Sequence, residues 1–520
     1  MQQLAFDTPL IFESGQEGRA NRYLPVAPPL DEFLPAEMLR VELPLPDNTE
    51  LDVNRHFTRL SHKTFAIDLG FYPLGSCTMK YNPRINDAMA NLPAFRDLHP
   101  FTPDELAQGA LGVMWELERS LASLFGMAAF SLNPAAGAHA ELSALLIAKA
   151  YFKKIGSAAT RRTVIVPDTA HGTNPASAAM VGFKVVSLKS DARGRVSVDE
   201  IKAAIGPDTA VCMMTNPNTL GLFEDHIKDI ADAVHAAGGL MYYDGANANA
   251  LMGNSRPGDM GFDLMHLNLH KTFSIPHGGG GAGAGPVGVA AHLVPFLPTP
   301  VVQCNESAAA AGWETSADKT FRLDFERPDA IGSMRSFWSN FAHMVRALAY
   351  IYANGFAGLT MVSKLAVLNA NYIRASIKDV IDTPYDENCR HEFVVSAQAL
   401  KRETGVRALD IGKALLDRGF HAPTVYFPLL VPECIMIEPT ETESKKTLDE
   451  FIAALRDIVA TAATNANAIL DAPVNTVVGR IDETRAARHP DLRWHPPASL
   501  PATDQPDSPP QHATNSARRV

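Results

Sequence analysis

The chain has 520 residues, 46% hydrophobic and 20% charged, with a formal net charge of −11. That apolar content is enough for cores in two or three domains, while the negative balance argues against non-specific nucleic-acid binding. No run approaches the ~18 uninterrupted apolar residues of a membrane span, and the five cysteines (77, 212, 304, 389, 434) show neither CxxC nor metal-ligand spacing, so they read as reduced thiols with no metal site.

Taken in chain order, residues 1–70 form a Pro-rich arm, with Leu24-Pro25, Pro28-Pro29, Leu34-Pro35 and Leu43–Pro46. Its first residues carry Asp7, Glu13 and Glu17 without a basic, apolar lead-in. This predicts no signal segment and a cytoplasmic location. The arm's apolar residues Leu24, Phe33, Leu34 and Leu43 predict burial against a partner surface. Residues 105–126 have helical spacing, with Leu111, Trp115, Leu117, Leu121 and Leu124. Then comes Asn133-Pro-Ala136-Gly137-Ala138-His139 with one further alanine at 135, a small-residue turn ahead of the helix-forming stretch Ala140–Ala150. Such a turn presents free N–H groups and a positive dipole end to an anion.

From 163 to 290 strands and helices alternate. The predicted strands are Thr163–Val166, Lys184–Leu188, Ala210–Met214, Leu240–Tyr243, Asp263–Leu267 and Val287–Ala290, with a helix at Asp225–Ala237 closed by Gly238-Gly239. This alternation predicts an α/β domain with a mostly parallel sheet and helices on both faces. Several strand ends carry polar residues: His171 after the first, Thr215–Gly221 with Asn218 after the third, Asp244 after the fourth, and Lys271 after the fifth. In open α/β sheets the carboxyl ends of strands form the ligand crevice.

Lys271 stands between His270 and Thr272, ahead of the glycine-rich run Gly278–Gly281. Apart from histidines, it is the one charged residue between Asp263 and His292. A lysine in such surroundings is suited to bonding a carbonyl, including the aldehyde of pyridoxal 5'-phosphate. The plainer reading is a strand-end lysine beside a loop. That cofactor needs an acid at its ring nitrogen, donors for its phosphate and a flat partner for its ring. Asp244 supplies the acid, though it equally suits a turn cap with Gly245. Ala136, Gly137 and Ala138 supply the phosphate turn, His171 the ring partner, Asn218 a donor to the phenolic oxygen, and His270, beside Lys271, a further cofactor contact. The ordered set of contacts is far more specific than any one member.

Beyond the sheet, helices are predicted at Ser339–Asn354 and Ala357–Ser376, then Phe393–Ala397, helix Ala408–Arg418, Thr424–Phe427, Cys434–Glu438 and helix Ser444–Thr461. The predicted domains are therefore the arm (1–70), a large α/β domain (71–345), a smaller α+β domain (346–480) and a disordered tail (481–520).

Several long runs carry a family resemblance: Phe71–Lys80, Ala170–Ala178, Tyr243–Asn247, Arg256–Phe262, Asn268–Thr272, His421–Pro428 and Met436–Glu443. Together they resemble subunit 2 of the two-subunit P-protein of the glycine cleavage system. The resemblance runs from about residue 10 to about 475, with Asn133, Ala140 and Ala282 as departures from the family pattern. It implies the fold-type I architecture of pyridoxal-phosphate transferases. It also implies decarboxylation of glycine and transfer of the aminomethyl group to the lipoyl arm of H-protein. The implied partners are subunit 1, with two copies of each subunit, and lipoylated H-protein, with functional links to T-protein and dihydrolipoyl dehydrogenase. Lys271, Asp244 and His171 would be the catalytic set, and His171, His270 or His277 the candidates for proton transfer. Arg335 is one candidate for the substrate carboxylate. A nicotinamide-binding site is set aside, because Pro286–Ala290 after the glycines reads as a strand and no Asp or Glu follows before Glu306. A catalytically silent subunit is disfavoured because Lys271 is present. Transamination is the alternative within pyridoxal-phosphate enzymes.

Overall fold

The computed structural model describes residues 8–16, 18–19, 28–39, 45–278, 283–305, 320–338 and 340–494. The chain divides into two units, Met1–Phe65 with Thr476–Val520, and Ala66–Asn475.

In the first unit the proline-rich stretch forms short 3-10 turns at Leu30–Glu32 and Ala36–Met38. Two segments depart from the sequence reading. Residues Glu50–Ser61, assigned to the extended arm, form a helix. Thr49 explains it: its hydroxyl accepts the Asp52 amide (3.3 Å) while Asp52 accepts the Thr49 amide (3.0 Å), a reciprocal cap. Glu483–Arg488, assigned to the tail, is also helical, with Asp482 accepting the Arg485 amide. Leu24, Leu43 and residues 495–520 lie outside the described residues.

The second unit is built on a seven-stranded sheet. Its strands are β1 (Ala129–Ser131), β2 (Thr163–Pro167), β3 (Lys184–Leu188), β4 (Thr209–Thr215), β5 (Leu240–Gly245), β6 (Leu264–Leu267) and β7 (Val287–Val289). The spatial order is β1-β7-β6-β5-β4-β2-β3. β7 runs against both its neighbours, and the remaining pairings are parallel. Every residue of β4 and β5 is buried, as expected of central strands covered on both faces. Helix Gln108–Phe125 packs on one face through Leu111, Met114, Leu117, Leu121 and Phe125, and Gly126 ends it in the left-handed conformation (φ 72°). Helix Gly137–Lys154 packs on the other through Ala144, Leu145, Ile147 and Ala148. A two-stranded ribbon, β8 (Val301–Asn305) with β9 (Thr320–Asp324), lies outside this sheet.

The later part forms a three-stranded antiparallel sheet from β10 (Phe393–Ser396), β11 (Thr424–Val425) and β12 (Cys434–Ile437), with helices Ala408–Leu416 and Lys445–Thr464. It has its own core, centred on Val395, Ile411, Ile435, Ile437, Phe451 and Ile458. Helix Phe341–Ile377 joins the two cores, with Met344 and Ile351 in the large one and Ile373 and Ile377 in the small one. It is long and apolar enough to cross a membrane by length and composition only, a test that a core helix also passes. It is broken at Gly355 (φ 59°, ψ −177°), between the two helices that the sequence predicts.

Candidate active site

The carboxyl ends of β2, β4, β5 and β6 converge on a single cavity. It is lined by His171 and Thr173 after β2, Thr215 and Thr219 from β4 and its turn, and Asp244, Ala246 and Asn247 from β5 and its turn. His266, Asn268 and Lys271 come from β6 and the short helical turn Leu269–Thr272. Ala138 and Glu141 reach it from the first turns of helix Gly137–Lys154, and Ser76 from a preceding loop. The parallel register explains part of this assembly. Asp244 pairs with Thr215 on one side and His266 on the other, so their side chains share one level of the sheet.

Asp244 is buried. It accepts the Ala246 amide (3.0 Å) and the Asn174 side-chain amide (3.2 Å), and His266 Nε2 stands 3.4 Å from its carboxylate. It therefore caps its own turn and still faces the cavity. Burial alone would raise its pKa, but His266, the Ala246 amide, Lys271 and Asn174 outweigh burial and hold it below the ordinary carboxylate value. Glu141, also buried, behaves oppositely: burial, then the Asp244 charge, push it to about 7. Two neighbouring carboxyls are thus shifted in opposite directions, Asp244 down and Glu141 up, so Asp244 is the anion at neutral pH.

Thr173 links the rest. Its hydroxyl donates to Glu141 Oε2 (3.0 Å) and lies 2.9 Å from His171 Nδ1. Burial lowers the His171 pKa, and burial does the same for His266. Lys271 Nζ donates to the Ser76 carbonyl oxygen (2.5 Å). Glu141 Oε1, Thr215 Oγ1 and Asn247 Oδ1 are buried without a hydrogen-bond partner among the described residues. Orphaned polar atoms around one cavity mark a place for a polar guest. An ionised acid at a strand end, a lysine amine and a small-residue helix N-terminus suit a guest with a protonatable ring nitrogen, a carbonyl and an anionic group.

Of the sequence candidates, Lys271, Asp244, His171 and Ala138 meet in this cavity. Ala136 and Gly137 open the helix beside it, where a Cβ on Gly137 would fall on the Asn268 side chain. Asn218 is a correction. Its amide donates to the Gly194 carbonyl (2.8 Å), and its oxygen accepts the Leu220 and Leu222 amides (3.0 and 3.2 Å). It is fully engaged in building its own turn and does not line the cavity. His270 does not line it either. It packs edge-on to His277, and burial pushes the two to about 3 and about 4, so both are neutral at pH 7. Arg335 lines a separate cavity of about 740 Å³ with Phe101, Phe325 and Trp338. The glycine-rich turn at 279–282, with Ala282, lies outside the described residues.

The cavity residues that sequence reasoning did not assign are Ser76, Glu141, Thr173, Thr215, Thr219, Ala246, Asn247, His266 and Asn268. His266 had a readable signal, since it sits two residues before Asn268 on the alternate-residue period of a strand end. Its pairing with Asp244 needed the register.

Comparison with known proteins decides the family. A probable glycine dehydrogenase (decarboxylating) subunit 2 from Exiguobacterium sibiricum is 54% identical over 493 residues, 94% of this chain and 97% of its own length. A protein of the same name from Caldanaerobacter subterraneus subsp. tengcongensis is 52% identical over 490 residues, 93% and 98% of the two chains. The chain belongs to the glycine dehydrogenase (decarboxylating) subunit 2 family. Residues 362–479 match the glycine dehydrogenase C-terminal domain, and 137–282 match the class-V aminotransferase domain. The crystal structure of an inhibitor-bound glycine decarboxylase (P-protein) superposes with a TM-score of 0.67 at 22% identity, covering 82% of this chain and 94% of that one. A cysteine desulfurase from Thermococcus onnurineus superposes at 0.57 with 12% identity, covering 76% and 95%. These likenesses show the fold, which is that of the fold-type I pyridoxal-phosphate enzymes. Within the family, the Lys271 cavity is the place to look for the chemistry.

Proposed function

We propose that this chain is the lysine-bearing subunit of a glycine decarboxylase that uses pyridoxal 5'-phosphate. It would release CO2 from glycine and pass the aminomethyl group to the lipoyl arm of H-protein. The observation that carries the reading is the meeting of Lys271 with an ionised, buried Asp244 in one cavity, in a chain of this family. When bound, the cofactor supplies an electron sink for the bond between the glycine α-carbon and its carboxylate.

The chain's own residues have separate tasks. Lys271 Nζ would hold the cofactor's aldehyde carbon. Asp244 would keep a proton on the ring nitrogen, and the Asn174 and Ala246 donors keep Asp244 charged for that purpose. The first amides of helix Gly137–Lys154 would take the phosphate, with Ala138 small enough to let it approach. His171, oriented by Thr173, is the one candidate histidine that lines the cavity, so it is the group placed to move a proton there. His266 orients Asp244 and is itself fixed by Tyr242 and Asn268 at 2.5 and 2.9 Å. The group transfer balances within the lipoyl disulfide. The electron pair of the broken bond to the carboxylate bonds the aminomethyl carbon to one sulfur, the S–S bond breaks, and the second sulfur leaves as a thiolate that takes up a proton. The disulfide is the oxidant.

The test is twofold. Borohydride reduction of the loaded protein, followed by peptide mapping, is expected to place a pyridoxyl group on Lys271. Exchange of the glycine carboxyl with labelled CO2, in the presence of lipoylated H-protein, is expected to follow. A label on a different lysine sinks the assignment. Amino-group transfer from glycine to a keto acid without that exchange would favour an aminotransferase.

A further inference from the structure

The loop that meets Lys271 is held by two acids from the opposite end of the chain. Its Ser76 and Thr78 both have left-handed backbones (φ 65° and 47°), a conformation costly for residues with side chains. Each of these residues donates its amide to a fully buried carboxylate: Ser76 to Glu392 Oε2 (2.7 Å) and Thr78 to Glu438 Oε2 (2.9 Å). Between those two amides, the Ser76 carbonyl oxygen accepts from Lys271 Nζ at 2.5 Å.

Glu392 directly precedes β10 and Glu438 directly follows β12, and Phe393 pairs with Ile437 in that sheet. The two carboxylates therefore stand side by side at one sheet end. Further ties fix the loop to the same place. Leu74 bridges to Ile437, and Thr424 Oγ1 donates to the Gly75 carbonyl (2.8 Å). Hydrogen bonds from backbone amides to carboxyl oxygens are worth more inside a dry site than in water. Their siting is otherwise unfavourable. Burial, then Glu438, drives Glu392 well above its ordinary pKa, and burial carries Glu438 to about 7. A fold that keeps two acids in such a place keeps them for what they hold.

We infer that Glu392 and Glu438 are positioning residues that lock Ser76 and Thr78 in place, and so set where the Lys271 amine rests while it is not bonded to the cofactor. The functional half of this inference rests on Lys271 being the cofactor lysine. The conformational half does not.

The two sites differ in what a glutamine does. Glu392 accepts with both oxygens, from Ser76 and from the Asn247 amide (3.2 Å), so Gln would set donor against donor. Glu438 Oε1 has no hydrogen-bond partner among the described residues, with His391 Nε2 3.8 Å away, so Glu438→Gln can keep the bond to Thr78 while it loses the charge. Glu438→Asp keeps the charge and loses the reach. In the full-length chain, amide hydrogen exchange resolved by electron-transfer fragmentation should be at least tenfold faster at Thr78 in Glu438→Asp and within threefold of wild type in Glu438→Gln. In the complex with subunit 1 and H-protein, kcat for glycine–CO2 exchange should follow the same order, with KM for glycine moving less than kcat. Unchanged Thr78 exchange in Glu438→Asp, or a Gln variant as impaired as the Asp one, overturns the inference. Should wild type show no glycine–CO2 exchange, the proposed function fails, and Thr78 exchange still decides whether the acids hold the loop.

Discussion

At the scale of single residues, the site turns on two neighbouring carboxyls whose pKa values are pushed in opposite directions. Asp244 has four favourable partners and stays ionised, while Glu141 is buried with fewer and titrates at about 7. Asp244→Asn keeps the shape and removes the charge. The cofactor should still bind, while the rate of glycine–CO2 exchange falls by about two orders of magnitude or more, the usual scale for losing a preorganised electrostatic partner. Near-normal turnover would reduce Asp244 to a turn cap. Glu141→Gln should behave differently. Its carboxyl has a folded pKa raised above the unfolded value, so its contribution to stability is complete below about pH 4.5 and is lost as pH rises through about 7. Wild type should therefore lose thermal stability relative to Glu141→Gln between pH 5 and pH 8. A difference in Tm that stays flat over that range would show that Glu141 is not protonated in the folded state.

At the scale of elements, small residues decide how closely the parts of the site approach. Gly137 opens its helix against Asn268, which is itself held between His266 (2.9 Å) and His270 (3.2 Å). Gly137→Ala favours the helix intrinsically but forces Asn268 or the helix start to move. The apparent Kd for pyridoxal phosphate, read by visible absorbance, should rise at least tenfold while Tm changes little. An unchanged Kd would show that the helix start is not the phosphate site. The central strands were legible in the sequence because β2, β4, β5 and β6 are apolar runs ended by polar residues. Three-residue β1 was too short to read, and β8, with Gln303 and Asn305, too polar. The site was legible where one strand end announces itself, as at Asp244 and Lys271. It was hidden where the partners come from far along the chain. Ser76 lies 195 residues before Lys271, and Thr78 lies 360 before Glu438. Asn218 misled because the chemistry that would suit a cofactor contact also suits a buried turn, and its neighbours' amides claimed it first.

At the scale of the whole molecule, this chain leaves apolar surface uncovered. In the first unit, Phe33, Met38 and Leu45 are 69%, 69% and 67% exposed, and on helix Phe341–Ile377 Phe356 and Leu368 are 71% and 60% exposed. Stable monomers do not usually leave large side chains this open in groups, and exposed apolar groups of this kind mark contact surfaces. The family is that of a second subunit, which implies a first. Covering those residues would remove apolar area from water, at about 25 cal/mol per Å², so association is expected to stabilise the arm as well as complete the enzyme. We expect the isolated chain to be soluble at its charge of −11 yet incompetent in glycine–CO2 exchange, and co-expression with subunit 1 to give one complex with two copies of each. Size-exclusion chromatography with light scattering reads the stoichiometry, and the exchange assay with lipoylated H-protein reads competence. Phe33→Glu with Met38→Glu should weaken the complex and lower exchange in proportion to the subunit 1 lost, while leaving borohydride labelling of Lys271 in place. A single chain that performs the exchange at the full rate with H-protein alone would show that those surfaces serve no catalytic partner.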